Sequence, residues 1–208
     1  MCHESTSVGL PLSIGVPVGT ITLDDFQKTD CILFFGHNTG VSAPRMLHDL
    51  QDCAKRGVPI IVFNPLVERG HERFTNPQNP VEMLVEPSTQ ISSQYHQIKV
   101  GGDKAAVMGL SKALFEADDA ARESGGERVL DLAFITEHTH GFEEFENAVR
   151  RADWAELEQR SGLTRHAIET AAAAYAQAKN AMVAYGMGLT QQVGGVENVQ
   201  AGRVPAVP

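Results

Sequence analysis

The sequence has few cysteines and no long apolar segment. Its cysteines, Cys2, Cys31 and Cys53, form no C-x-x-C pair, which argues against a disulfide framework and against a structural zinc site. No apolar run approaches the roughly 20 residues that cross a bilayer, so we expect neither a membrane-spanning protein nor a membrane partner. Because no basic segment followed by an apolar one opens the sequence, we expect no signal peptide and a cytoplasmic location.

Basic residues are also scarce. The chain has 17 Lys and Arg against 26 Asp and Glu among 208 residues, a formal net charge of −9. Proteins that bind nucleic acids usually present a basic face to the phosphates, so we expect no nucleic-acid partner. The chain also lacks the G-x-G-x-x-G and G-x-x-x-x-G-K-[ST] motifs, which excludes the common dinucleotide fingerprint and the Walker loop.

Strands and helices alternate along the first third of the chain. The run Cys31-Ile32-Leu33-Phe34-Phe35 is apolar on both faces, which is typical of a central parallel strand covered on each side. A helix is predicted from Pro44 to Gly57 and a second buried strand over 58–63. Strand, helix and strand make one right-handed βαβ unit. The predicted fold is α/β, a three-layer αβα arrangement with a mostly parallel, Rossmann-like sheet of roughly four to six strands.

The rest of the chain continues this alternation. A third strand is predicted at 97–100 and a fourth at 181–185, and Asp103 has the position of a first-turn acid for a helix. The charged stretch 116–127 is interpreted as a surface connection. Further helices are predicted at 129–136, 141–151 and 154–160, and from a Thr164 cap to Lys179.

Each predicted strand ends in a loop rich in Gly, Asn or Asp, at 36–42, 64–70, 101–103 and 186–195. In a parallel sheet these ends lie on one edge, where open α/β sheets bind ligands. The pattern therefore predicts a nucleotide or cofactor site without saying which ligand it takes. The alternative is that the glycines only satisfy turn geometry and that Met187 only packs.

Two groups of side chains have the chemistry of metal sites. Cys2 and His3 combine a soft thiolate ligand with an imidazole that can move protons, although residues at a chain terminus are usually frayed. A second group lacks zinc-like spacing and is predicted to be a solvated helix start: Glu137, His138, His140, Glu143 and Glu144.

Taken together, several short segments resemble the molybdopterin-dependent oxidoreductases, the superfamily of formate dehydrogenase alpha subunits and dimethyl-sulfoxide reductase. The nearest likeness is to its formate dehydrogenase-like branch. The matching segments follow the family's order across residues 1–200: Met1-Cys2-His3-Glu4-Ser5 with Ser7-Val8-Gly9-Leu10, Phe35-Gly36-His37-Asn38 with Pro44-Arg45-Met46, Phe63-Asn64-Pro65, Lys99-Val100-Gly101-Gly102-Asp103, Tyr175-Ala176-Gln177 and Tyr185-Gly186-Met187-Gly188-Leu189-Thr190-Gln191.

The resemblance implies a bis-molybdopterin guanine dinucleotide cofactor with molybdenum, and two-electron redox chemistry on a small substrate. It places Cys2 as the metal ligand and His3 as the group that handles the proton. The cofactor-binding positions that it implies are Phe35, Gly36, His37, Asn38, Thr39, Asn64, Pro65, Gly101, Gly102, Asp103, Gly186, Met187, Gly188 and Gln191.

The chain departs from the family pattern in three respects. Glu4-Ser5 stands where formate dehydrogenases commonly have Gly-Pro, and Asn64 where many relatives have Asp. The family's chains are several hundred residues longer. We therefore interpret residues 1–200 as one cofactor-binding domain of a larger enzyme, inactive alone and partnered by the remaining domains, with 201–208 as a tail outside the pattern. The alternatives are a non-catalytic nucleotide-binding module, such as the central α/β domain of thiamine-diphosphate enzymes, and a degenerate fragment that acts only in interactions.

Overall fold

The computed structural model describes residues 3–84 and 87–201. The strands are β1 (Cys31–Phe35), β2 (Ile60–Phe63), β3 (Arg73–Phe74), β4 (Thr89–Gln90), β5 (Gln94–His96) and β6 (Ala181–Tyr185). The helices are α1 (Glu4–Gly9), α2 (Pro11–Ile14), α3 (Asp25–Lys28), α4 (Thr39–Ser42), α5 (Met46–Lys55), α6 (Arg69–Glu72), α7 (Pro80–Leu84), α8 (Asp103–Ser124), α9 (Leu132–His138), α10 (Phe142–Arg151), α11 (Trp154–Ser161), α12 (Arg165–Ala176), α13 (Met187–Thr190) and α14 (Gly195–Ala201).

The main sheet has the strand order β5-β2-β1-β6, and its neighbouring strands pair in parallel. Leu33 of β1 lies opposite Ile61 of β2 and Val183 of β6. A short antiparallel pair, β3 and β4, stands apart from it. Because the strands are parallel, their carboxyl ends lie on one edge. This confirms the predicted α/β fold with a mostly parallel sheet.

The third strand lies three residues earlier than predicted. Residues 94–96 form β5 beside β2, whereas 97–100 form the loop that follows. The apolar residues of that loop suggested a strand, but Ile98 is buried as part of the loop while Val100 is 82 % exposed. The strand itself, Gln-Tyr-His, is half-buried and polar because it stands at the sheet edge. The prediction for 97–100 was therefore wrong.

Alternate residues of the central strands serve two separate cores. Leu33 and Phe35 belong to the cluster under α8, α11 and α12, whereas Ile32 and Phe34 belong to the cluster under α3 and α5. This is the period of two that a strand imposes on its side chains. It gives the three layers of the predicted αβα architecture. The free thiols of Cys31 and Cys53 are both buried in these cores.

Helix α8 is longer than the sequence pattern suggested. It continues to Ser124, through most of the charged stretch 116–127 that was interpreted as a surface connection. Asp119 of this stretch pairs with Arg122 and Arg150, whereas Asp118 is buried. Gly125 ends the helix with φ of 70°. In the part of the chain that the structure describes, no helix is long and apolar enough to span a membrane.

Candidate active site at the carboxyl edge

The loops after β1 and β6 meet through their backbones. Gly186 N–H donates to the carbonyl oxygen of Phe35, and Gly188 N–H donates to that of Gly36, each at 3.0 Å. Gly36 has φ of 54°, and a Cβ added there would lie 2.5 Å from the backbone nitrogen of Leu189. Glycine is therefore required at Gly36 by both conformation and space.

A cavity of about 260 Å³ opens where these loops meet those after β2 and β5. It contains six residues that the sequence predicted for the cofactor site: Gly36, Pro65, Asp103, Met187, Gly188 and Gln191. Lys99, Val100 and Gln192 complete the lining. All four strand ends of the main sheet thus contribute to one cavity, as the edge argument predicted.

Asp103 is the most buried charged group of the cavity wall. Asp103 is the first residue of α8 and is 3 % exposed. Gln192 Nε2 donates to its Oδ2 at 2.7 Å. Burial raises the pKa of Asp103 above its ordinary value, and the hydrogen bond from Gln192 opposes that shift. The Oε1 atom of Gln192 is buried and has no hydrogen-bond partner in the described part of the chain. A ligand that donates hydrogen bonds would satisfy both side chains.

The remaining wall is largely apolar. Val100 is 82 % exposed and Met187 is 42 % exposed, and Pro65 lies beside them in the lining. The Lys99 ammonium is held at the end of α11, where it donates to the carbonyl oxygen of Gln159 at 2.8 Å. An apolar wall with a carboxylate and amides suits a flat heterocycle with polar edges.

The other predicted cofactor-binding residues lie outside this cavity lining. Phe35 is buried and stacks on Phe63, with ring centroids 4.7 Å apart. The side chain of Asn64 is also buried and donates to the carbonyl oxygen of Leu66 at 2.8 Å. The residues of this group are Phe35, His37, Asn38, Thr39, Asn64, Gly101, Gly102 and Gly186. Their assignment to the cofactor stays a prediction.

The amino-terminal segment lies at the same edge of the sheet. Ser5 Oγ donates to the carbonyl oxygen of Thr190 at 3.0 Å, and Tyr185, at the end of β6, donates its hydroxyl to Thr6 at 3.2 Å. His3 is exposed just before α1. Cys2 lies outside the described residues, so its predicted metal role stays a prediction.

A larger depression of about 600 Å³ adjoins the cavity and shares Lys99 and Val100 with it. Two cations that line it are paired with carboxylates: Lys104 with Glu197 at 2.7 Å, and Arg160 with Glu156 at 2.6 Å. Among residues 3–84 and 87–201, no three His, Cys, Asp or Glu side chains gather as a metal site would require.

Comparison with known proteins places this geometry in a family context. No protein-family model matches the chain. Protein YdeP of Escherichia coli strain K12 is 48 % identical over 200 residues, which is 96 % of this chain and 26 % of that protein. Formate dehydrogenase H of the same organism is 27 % identical over 199 residues, 96 % of this chain and 24 % of the enzyme. The chain is a homologue of one segment of the formate dehydrogenase-like oxidoreductases. This confirms the resemblance drawn from its sequence motifs.

A solved structure agrees with the fold described above. Acetylene hydratase from Pelobacter acetylenicus superposes with a TM-score of 0.68 at 18 % identity, over 98 % of this chain and 23 % of that one. The segment thus spans about a quarter of the length of the curated relatives it matches.

Sequence reasoning missed three residues that line the cavity. Lys99 and Val100 were assigned to a strand, although their position directly before Gly101-Gly102 could have indicated a loop. Gln192 gave no signal, since only the fold brings it to Asp103, 89 positions away.

Proposed function

We propose that residues 1–200 form the molybdopterin guanine dinucleotide-binding α/β domain of a larger molybdopterin-dependent oxidoreductase. The observation that carries the proposal is the single cavity at the carboxyl edge, which receives six of the residues predicted from the family resemblance. Homology to formate dehydrogenase H over 96 % of the chain supports the same assignment. The substrate would be a small molecule.

The side chains of the cavity fit a pterin or a guanine. The Asp103 carboxyl group and the unpartnered Oε1 of Gln192 can accept the N–H groups of such a ring. Met187 and Val100 offer exposed apolar surface to its face. When bound, the cofactor would supply the two-electron redox chemistry. The chain's own residues would bind it, orient it and exclude water from it.

Cys2 would be the protein ligand to molybdenum and His3 the proton acceptor. The support is the family resemblance of this pair and the contacts of Ser5 and Thr6 with the loops of the candidate site. In a protein of the relatives' length that carries this segment, Cys2→Ala should abolish turnover and leave the fold intact, because a thiolate ligand is lost. Wild-type turnover by that variant would contradict the assignment.

Nucleotide titration of the 208-residue chain tests the proposed domain function. We expect GDP to bind in preference to ADP, with a dissociation constant between high micromolar and millimolar, about −4 to −6 kcal/mol. Affinity is low because the remaining domains would supply the other wall of the site. Gln191→Ala should weaken GDP binding, whereas Gln27→Ala, an exposed glutamine on α3, should not.

Calorimetry or NMR titration would measure these constants. Equal binding of GDP and ADP, or no binding at millimolar GDP, would overturn the nucleotide assignment.

A further inference from the structure

A chain of hydrogen bonds runs from the surface loop after β1 into the protein. His37 Nδ1 lies 2.8 Å from Thr39 Oγ1, which lies 2.7 Å from His71 Nε2. Thr39 and His71 are completely buried, whereas His37 is partly exposed. The second ring nitrogen of His71, Nδ1, is buried and has no hydrogen-bond partner within 3–84 and 87–201. The direction of the protons in this chain follows from its two ends.

The contacts at the buried end require the ring proton of His71 to be on Nε2. A neutral imidazole has one N–H donor and one acceptor nitrogen. If the proton of His71 were on Nδ1, a buried N–H would have no acceptor, which is rarer in proteins than an unmatched acceptor. With the proton on Nε2, His71 donates to Thr39 Oγ1. The Thr39 hydroxyl must then donate to His37 Nδ1.

The exposed end gives the same direction independently. Ser42 Oγ donates its proton to the carbonyl oxygen of Asn38 at 2.7 Å. Only lone pairs of Ser42 Oγ therefore face His37 Nε2, 3.5 Å away. A protonated Nε2 is attracted to those lone pairs, whereas an unprotonated Nε2 would be repelled by them. Both ends thus assign the proton of His37 to Nε2.

The surroundings of the two rings favour the neutral forms. Burial lowers the pKa of His37, and the nearby charge of His3 lowers it further. Burial also lowers the pKa of His71, to about 4, with a smaller contribution from His37. Phe34 stacks on the ring of His37, with centroids 5.7 Å apart, and packs at a tilt against the ring of His71, with centroids 4.9 Å apart. None of these contacts of either ring is with a carboxylate, which would stabilise an imidazolium ion.

The ring of His37 also lies against the loop after β6. A Cβ added to Gly186 would be 2.8 Å from Cδ2 of His37, the carbon bonded to Nε2. His37, on the loop after β1, therefore packs against the loop after β6. Among the residues that the structure describes, its Nε2–H makes only the long contact with Ser42, so it can donate to a ligand.

We propose that His71, through Thr39, is a positioning residue that fixes His37 as a neutral Nε2–H tautomer, which donates a hydrogen bond to a phosphate oxygen of the bound nucleotide. The tautomer stands on the hydrogen bonds alone, while the phosphate contact rests on the proposed function. A phosphate oxygen is the acceptor that a neutral donor beside a nucleotide-binding loop would meet.

Nitrogen-15 NMR of the ligand-free chain at pH 7 tests the tautomer directly. Long-range proton–nitrogen correlations distinguish a protonated ring nitrogen from an unprotonated one, and His→Gln variants assign each ring. We expect Nε2–H, with Nδ1 unprotonated, for both His37 and His71. An Nδ1–H tautomer or an imidazolium at either position would overturn the proposal.

Variants of the linking residue separate positioning from packing. Thr39→Val keeps the shape but removes the hydroxyl, so the His37 signals should move toward the average of the two tautomers. Thr39→Ser keeps the hydroxyl and should preserve the wild-type signals. The half-buried ring of His96, whose Nε2 contacts Gln94 at 3.0 Å, is the internal control and should not change. Unchanged His37 signals in Thr39→Val would show that Thr39 does not fix the tautomer.

Comparison of GDP with guanosine tests the phosphate contact. His37→Ala should weaken GDP binding roughly tenfold, the effect of one hydrogen bond to a charged acceptor, and leave guanosine binding unchanged. Equal weakening of both ligands would contradict the phosphate contact. If the wild-type chain binds neither ligand, the proposed function and the phosphate contact both fail, while the tautomer is decided by the NMR of the free chain.

Discussion

At the scale of single residues, buried carboxyl groups show how partners decide the state of an ionisable side chain. Asp103 is surrounded by few donors, and its pKa is raised by burial. Glu82 is similarly buried, but it accepts hydrogen bonds from Lys55 Nζ at 2.7 Å, Gln51 Nε2 at 2.8 Å and the Asn76 N–H at 3.0 Å. These donors lower the pKa of Glu82 to about 2.

Glu82 should make stability depend on pH in acid. Because its pKa is about 2 in the folded chain and near 4.5 ordinarily, its contribution is complete above pH 4.5 and is lost as pH falls toward 2. Glu82→Gln should therefore lower the free energy of unfolding at pH 7, and its deficit should shrink in acid. Urea denaturation of both proteins at pH 7 and in acid would measure the two losses.

Glu123→Gln is the control for Glu82, since Glu123 is exposed near the end of α8. The loss of unfolding free energy in Glu82→Gln should be smaller at about pH 2.5, close to the acid limit of the experiment, than at pH 7. An equal loss at both pH values would contradict the ionic origin of the effect.

At the scale of elements, a few polar contacts fix how helices and loops connect. Asp118, 2 % exposed on α8, accepts from Arg128 Nε at 2.9 Å and from the N–H groups of Val129 and Leu130 at 2.9 and 3.1 Å. One carboxylate thereby holds the connection between α8 and α9. Local sequence patterns do not predict this contact, because the acceptor Asp118 lies on α8 and its donors lie in the connection to α9.

Asp118→Ala should destabilise the chain by about 3 kcal/mol, because Arg128 and two backbone N–H groups lose their acceptor. Asp119→Ala is the matched control. Its partners, Arg122 and Arg150, are on the surface, so about 1 kcal/mol or less is expected. Denaturant titration of both variants would compare the losses, and equal losses would contradict the special position of Asp118.

Gly36→Ala should separate the loops after β1 and β6. The new Cβ would clash with the backbone of Gly188 and Leu189, and alanine disfavours the positive φ of this position. We therefore expect the free energy of unfolding to fall by about 3–5 kcal/mol. Gly57→Ala is the control, because Gly57 has φ of 81° but open space around it. It should lose only about 1 kcal/mol. Thermal unfolding would detect the difference, and similar losses would show that the close approach is not restrictive.

At the scale of the whole molecule, the described surface is unusually apolar near the amino terminus. Several large apolar side chains between positions 8 and 23 are exposed: Val8, Leu12, Ile14, Val16, Val18, Ile21 and Leu23. Exposed apolar surface of this kind marks interaction sites. Under the proposed function, these side chains are candidates for contact with the remaining domains of the larger enzyme.

The free chain should therefore bind a hydrophobic dye. Replacing Leu12, Val18 and Leu23 together by Ser should reduce dye fluorescence without loss of the fold, because each change is at the surface and costs about 0.5 kcal/mol or less. Val41→Ser, which changes another exposed residue, should leave the fluorescence nearly unchanged. Equal fluorescence from the triple variant and the wild type would contradict this expectation.

The sequence by itself determined the central strands and the edge that carries the candidate site. Cys31–Phe35 lies where its apolar run predicted, because a strand buried on both faces has little choice of residue. Ala181–Tyr185, at the edge of the main sheet, also lies at its predicted position. Glycine-rich and polar loops after them followed from the same local patterns. The family motifs then singled out Asp103, Met187 and Gln191 before any geometry was known.

Only the tertiary structure decided the partners of these residues. Gln192 reaches Asp103 across 89 positions, and His71 reaches Thr39 across 32. The edge strand β5 is polar, so apolar periodicity pointed instead to residues 97–100. These features depend on contacts between segments far apart in the chain, and a local pattern records the burial of a residue but not the identity of its neighbour.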